Sequence, residues 1–134
     1  MNDNRFVDTN ILIYAVADDL RKRAIAEDLL LQERIVISPQ VISEFVVATI
    51  RKRILEPGKT IEYAHKFLSV FHLTVMTAET ITDALKIMTT YHFSYWDSLI
   101  LAAALESACT IVYSEDLQDG QQIENQVTII NPFK

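Results

Sequence analysis

Short β-branched runs alternate along this chain with longer stretches whose apolar residues recur at helical spacing, and few folds satisfy that alternation. Strand-like segments fall at Arg5–Val7, Arg34–Ile37, Leu73–Met76, Thr110–Tyr113 and Val127–Ile130. An apolar helix is expected from about Ile11, and a surface helix over Leu20–Leu31 with apolar residues at 25, 29 and 30. Ser38-Pro39 supplies an N-cap and a first-turn proline for a helix reaching about Arg53, which Glu56-Pro57-Gly58 then ends. Ile61, Ala64, Leu68 and Phe71 mark another helix, as do Ala78, Ile81, Ala84, Leu85 and Met88, and Trp96–Ala108 is a strongly apolar one. Strands that alternate with helices imply an α/β fold with a mainly parallel sheet covered on both faces.

At 134 residues the chain is expected to form one domain over 1–134, with 50% apolar and only 22% charged residues to build its core. The single Cys109 allows no internal disulfide. Met1-Asn2-Asp3-Asn4-Arg5 lacks the basic start and long apolar stretch of a signal peptide, and no run approaches a membrane span. A cytoplasmic protein without a membrane partner is therefore expected.

Three acids interrupt the most apolar segments: Asp8 in Phe6-Val7-Asp8-Thr9-Asn10-Ile11, Glu44 in Val41-Ile42-Ser43-Glu44-Phe45-Val46, and Asp97 in Tyr95-Trp96-Asp97-Ser98-Leu99. A carboxylate among core residues is costly unless something neutralises it, and no basic residue stands beside any of the three. That pattern points to a divalent cation as their shared partner. Asp8 follows the first strand directly, and Asp116 follows Thr110–Tyr113 after two residues. In parallel α/β sheets, ligands gather beyond the carboxyl ends of the strands, so these acids can converge on one edge.

Each acid has a structural alternative. Asp8-Thr9-Asn10 can cap the following helix, although one cap needs only one of them. The helix around Glu44 is apolar almost all round, so a largely buried glutamate is expected rather than a solvated one. Ser94-Tyr95-Trp96-Asp97 resembles a capping box, a role compatible with metal binding because the helix dipole favours the ionised carboxylate. Ser114-Glu115-Asp116-Leu117-Gln118-Asp119-Gly120 can be simply a turn, and its three acids leave the choice of ligand open.

In this order, these segments resemble the PIN-domain family of metal-dependent ribonucleases, particularly the small VapC-type toxins. Val7-Asp8-Thr9-Asn10-Ile11 is similar to the family's opening motif, Ser43-Glu44-Phe45 to its second acid, and Tyr95–Ala104 to its third-acid helix. Ser114-Glu115-Asp116 matches the fourth segment, which usually reads Thr-x-Asp; the Phe that often follows is missing, and Asp119 is displaced. The resemblance implies a PIN-like three-layer α/β/α sandwich with a sheet of about five strands. It also implies that Asp8, Glu44, Asp97 and Asp116 surround Mg²⁺ or Mn²⁺ as catalytic and metal-binding residues. An RNA substrate cut to a 5′-phosphate and a 3′-hydroxyl, a homodimer and an antitoxin partner complete what the family implies.

The residue chemistry agrees with that reading. All-oxygen ligands suit Mg²⁺ or Mn²⁺. His65, His72 and His92 lack zinc-type spacing and are read as structural or surface residues. The net charge of −6 disfavours a nucleic-acid coat protein. Taking the four candidate ligands from the 18 acidic residues leaves 14 against 12 basic ones, which a metal-dependent nuclease tolerates. Arg51, with Lys52 and Arg53, is a candidate phosphate contact, against the alternative of a solvated helix end; Arg21-Lys22-Arg23 stands the same way. Tyr95 and Trp96 can stack a base, but Trp96 is expected rather to pack as an anchor at a helix start, outside the site. The rival function is a catalytically silent PIN-like module that binds RNA or protein. Asp8-Thr9-Asn10 lacks the second Asp of an Asp-x-Asp phosphatase motif, and no receiver-type lysine follows Thr110–Tyr113.

Overall fold

The computed structural model describes residues 3–134; Met1 and Asn2, which open the segment weighed as a signal peptide, lie outside them. The elements run β1 (Asn4–Val7), α1 (Thr9–Tyr14), α2 (Leu20–Leu30), β2 (Ile35–Ile37), α3 (Pro39–Arg51), α4 (Pro57–Val70), β3 (His72–Leu73), α5 (Ala78–Tyr91), α6 (Tyr95–Glu106), β4 (Cys109–Tyr113), β5 (Gln122–Ile123) and β6 (Val127–Ile130). The sheet order is β3-β2-β1-β4-β6-β5, parallel throughout except for the β5–β6 pair.

Phe6 and Val7 are both fully buried although neighbours on a strand face opposite sides. Ile35, Val36 and Ile37 repeat the pattern on β2. Only a sheet covered on both faces buries consecutive residues in this way, so the expected α/β sandwich is present. The chain begins in the middle of the sheet, builds outward through β2 and β3, then returns to the other side of β1 as β4. After that reversal the chain leaves β1 and β4 toward opposite edges of the sheet, while their carboxyl ends lie side by side with Val7 in register with Tyr113. A crevice beyond adjacent strands at such a switch point is where open α/β sheets bind ligands.

Three local expectations need correction. The sheet has six strands rather than five, because Gln122–Ile123 pairs with β6 through a turn at Glu124-Asn125, both at positive φ (51° and 54°). The strand expected at Leu73–Met76 is the two-residue edge strand His72–Leu73, after which Thr74 still donates its N–H to Ile37 O at 2.9 Å. The helix starting at Ser38-Pro39 stops at Arg51, short of Arg53. Arg53 turns left-handed (φ 55°), its N–H reaching Ile50 O at 3.1 Å while Ile54 N–H reaches Thr49 O at 2.9 Å. Those two bonds are the Schellman pattern that satisfies terminal carbonyls, made here without glycine. Pro57 therefore starts α4 at its first turn instead of ending α3.

Candidate active site

The carboxyl end of β1 delivers Asp8 directly into the crevice, where its backbone N–H extends the ladder to Tyr113 O at 3.0 Å. Asp8 also caps α1, with Oδ1 accepting from Thr9 N–H at 2.8 Å. Its second oxygen, Oδ2, accepts from the Ser114 hydroxyl at 2.8 Å and from the Asn10 amide at 3.4 Å. The carboxylate is thus both buried and fixed in orientation.

Thr9 and Asn10 then connect Asp8 to two other acids. The Thr9 hydroxyl donates to Glu44 Oε1 at 2.8 Å, which ties α1 to the second turn of α3. The Asn10 amide donates to Asp116 Oδ2 at 3.3 Å, while Asn10 Oδ1 accepts from Glu115 N–H at 3.2 Å. Ser114 holds this loop from beneath: its Oγ accepts from the N–H groups of Asp116 and Leu117 while its proton goes to Asp8. Ser114 opens the fourth motif segment in sequence but is not counted there among the candidate site residues. Its signal in the sequence is a small hydroxyl residue at the first position after β4.

The three acids of the Ser114–Gly120 segment have different surroundings. Burial pushes the Glu115 carboxyl up, but the Lys22 ammonium and the Tyr14 hydroxyl outweigh it and hold the group below its usual range. Asp119 is also held low, by the Asn131 N–H at 2.7 Å and then by Lys134 at 3.5 Å. Of the three carboxylates, only that of Asp116 accepts from Asn10 and acts on Asp8. Lys22 and Arg21 are likewise engaged, Lys22 by Glu115 and Arg21 by the Phe133 carbonyl, so neither is a free phosphate contact.

Asp97 sits in the first turn of α6, its N–H capped by Ser94 Oγ at 3.1 Å. The reciprocal half of a capping box, from the Asp97 carboxylate to Ser94 N–H, is not made among the described residues, which leaves that carboxylate without a capping task. The Gln40 amide donates to the Trp96 carbonyl at 3.1 Å, so α6 starts at the same edge of the sheet where β2 hands over to α3. Asp97 makes no hydrogen bond to Asp8, Glu44 or Asp116. Among the described residues no three of His, Cys, Asp and Glu are drawn together tightly enough to form a ready-made metal cage.

Electrostatics decide what the crevice lacks. Burial pushes the Asp8 carboxyl from 3.8 up to about 6; the Ser114 hydroxyl and Thr9 N–H oppose this, and the charges of Glu44 and Asp116 add to it. Every hydrogen-bond donor on Asp8 is neutral, and both charges acting on it are negative. An all-oxygen, anionic donor set with no basic side chain on Asp8 fits a hard divalent ion. Two expectations fail here. Glu44 is half-buried rather than largely buried, because α3 leaves Val47 (58%) and Ile50 exposed on the neighbouring surface. Trp96 is 61% exposed and does not act as a packed anchor.

The family model of the PIN domain matches residues 5–118. The chain belongs to the PIN domain family. This PIN domain is similar to VapC20 of Mycobacterium tuberculosis, described as a sarcin–ricin loop-cleaving toxin, at 18% identity and a TM-score of 0.70, over 84% of this chain and 90% of that one. It is similar to a chain of a toxin–antitoxin complex from Klebsiella pneumoniae at 19% identity and 0.72, over 96% and 98%. A chain of DNA-bound VapBC from Salmonella typhimurium matches at 18% identity and 0.65, over 94% and 96%. No curated protein sequence matches significantly.

Proposed function

We propose that this PIN domain is a metal-dependent endoribonuclease and the toxin of a toxin–antitoxin pair. The observation that carries the reading is Asp8: a buried carboxylate at the sheet's switch point, linked through Thr9 and Asn10 to Glu44 and Asp116, with no positive charge to balance it. A binding module has no use for that unbalanced charge. The VapC and VapBC structures it resembles support the toxin role and an antitoxin partner.

Asp8, Glu44, Asp97 and Asp116 are the residues that would hold Mg²⁺ or Mn²⁺. When bound, such an ion polarises the scissile phosphate and lowers the pKa of a coordinated water. The chain's own groups prepare the site. Ser114 and the Thr9 N–H fix both oxygens of Asp8, so no reorientation is needed when RNA arrives. Thr9 steers Glu44 and Asn10 steers Asp116, each through a neutral donor that leaves the acid's negative charge in place.

The decisive measurement is cleavage of total RNA with and without Mn²⁺, with Asp8→Asn as control. Manganese-dependent cutting that Asp8→Asn removes, by at least about 100-fold, is expected. RNA binding without cutting, or cutting that survives Asp8→Asn, overturns the reading in favour of a catalytically silent module.

A further inference from the structure

We propose that Trp96 is a stacking platform for a base of single-stranded RNA beside the acidic cluster, an inference that rests on the nuclease reading above. Trp96 is the residue before Asp97, in the first turn of α6. It is the only tryptophan in the chain, and 61% of it is exposed. The Tyr95 and Trp96 rings form a T-shaped pair, with centroids 5.2 Å apart and planes at 72°, so the two are not stacked in parallel. The indole lines a groove of about 680 Å³ with Val47, Met76 and Leu99, and the groove reaches Glu44 of the acidic cluster.

The other wall of the groove distinguishes nucleic acid from an apolar peptide as occupant. Arg51 and Lys52, at the end of α3, line the same groove, and among the described residues neither has a carboxylate within ion-pair distance. In a chain of net charge −6, two free cations flanking an exposed indole match the alternation of phosphate and base along a single strand. Gln40 fixes the start of α6 in this wall: its amide N–H donates to the Trp96 carbonyl, and its buried Oε1 has no partner among the described residues. Arg51 lies two helical turns beyond Glu44, about 10 Å along the axis, and Trp96 lines the same groove as both.

Because Trp96 is the sole indole, its emission reports the groove alone. The test titrates wild-type protein in EDTA, where no cutting occurs, with oligoadenylate and with an abasic ribose-phosphate oligomer of equal length. Oligoadenylate is expected to quench Trp96, and the abasic oligomer to bind more weakly without quenching. By anisotropy of labelled oligoadenylate, Trp96→Ala is expected to weaken binding roughly 5- to 150-fold and Trp96→Phe to restore most of it. Arg51→Ala is expected to weaken both oligomers alike and to lower the salt slope by about one. Unchanged emission, or oligoadenylate binding that Trp96→Ala leaves intact, overturns the proposal and returns the groove to an apolar peptide. The titration contains no metal and reads no cleavage, so its failure leaves the nuclease reading standing. Absence of manganese-dependent cutting by the wild type sinks the nuclease reading even where quenching persists.

Discussion

Asp8 meets two opposed demands. Its position at the end of a buried strand strips water from the carboxylate, whereas its place at the start of α1 and beside Ser114 favours the ionised form. Burial wins, so the folded-state value of about 6 lies above the ordinary 3.8. A raised value means that the native state holds this proton more tightly than the unfolded chain does. The stability it contributes is therefore full below about pH 4 and is lost as pH rises through 6. The total loss is on the order of 3 kcal/mol for a shift of this size. In urea titrations with EDTA between pH 4 and 7.5, the wild type is expected to lose stability relative to Asp8→Asn by about that amount. Mn²⁺ added above pH 7 is expected to restore it, since an ion that binds only the folded state stabilises by mass action. Parallel pH profiles for the two proteins would contradict the assignment. Ser114 belongs to the same balance. Ser114→Ala removes the donor to Asp8 and strands the N–H groups of Asp116 and Leu117, at about 1–3 kcal/mol, with a further rise in the Asp8 pKa. Lower urea midpoints together with impaired cutting are the expected result.

The elements show which parts of this fold are written locally. Ser38-Pro39 is visible in sequence because a cap and a first-turn proline act within four residues, and the Ser38 hydroxyl does accept from Val41 N–H at 3.3 Å. Asp8 is legible for a related reason: a carboxylate directly after a strand is a local signal with a long-range consequence. The end of α3 and the β5–β6 hairpin are not legible, because both turn through left-handed residues that are not glycine. At Arg53 the compensation is tertiary, with Ile54 packed against the core. At Glu124 it is the Tyr91 hydroxyl, which accepts the Glu124 N–H at 2.9 Å and pins the hairpin to the end of α5. Trp96 misleads for the opposite reason, since an aromatic at a helix start reads as core, and only the groove between α3 and α6 shows it uncovered. Glu124 is also a place to improve the fold. Its left-handed backbone disfavours a side chain that Asn tolerates better, and the backbone bond to Tyr91 survives substitution. Glu124→Asn is expected to raise stability by up to about 1 kcal/mol, read as a higher urea midpoint at unchanged slope.

At the scale of the whole molecule, the core is complete yet the surface is not fully accounted for. On α5, Ala84 and Ile87 face the core, while Ile81, Leu85 and Met88 recur at four and three residues with 41%, 49% and 39% exposure. Residues so spaced share one side of a helix, so they form a stripe and not scattered singletons. An amphipathic helix normally turns polar residues to water. We propose a homodimer as the simplest cover for such a stripe, because a twofold interface places the same apolar surface against itself. Leu85→Lys tests this without disturbing the core, since lysine is as good a helix former as leucine and position 85 already faces outward. Light scattering at tens of micromolar is expected to give a dimer for the wild type and a monomer for Leu85→Lys, with the helical circular dichroism of the two unchanged. A monomeric wild type would rule out the homodimer, and a Leu85→Lys protein that remains dimeric would move the interface elsewhere on the chain. The proposed metal ligands come from the β1–α1 junction, α3, α6 and the β4–β5 loop, and none of them from α5. Dissociation by Leu85→Lys is therefore expected to leave Asp8, Ser114 and the Trp96 groove assembled, with manganese-dependent cutting per chain within a few-fold of wild type.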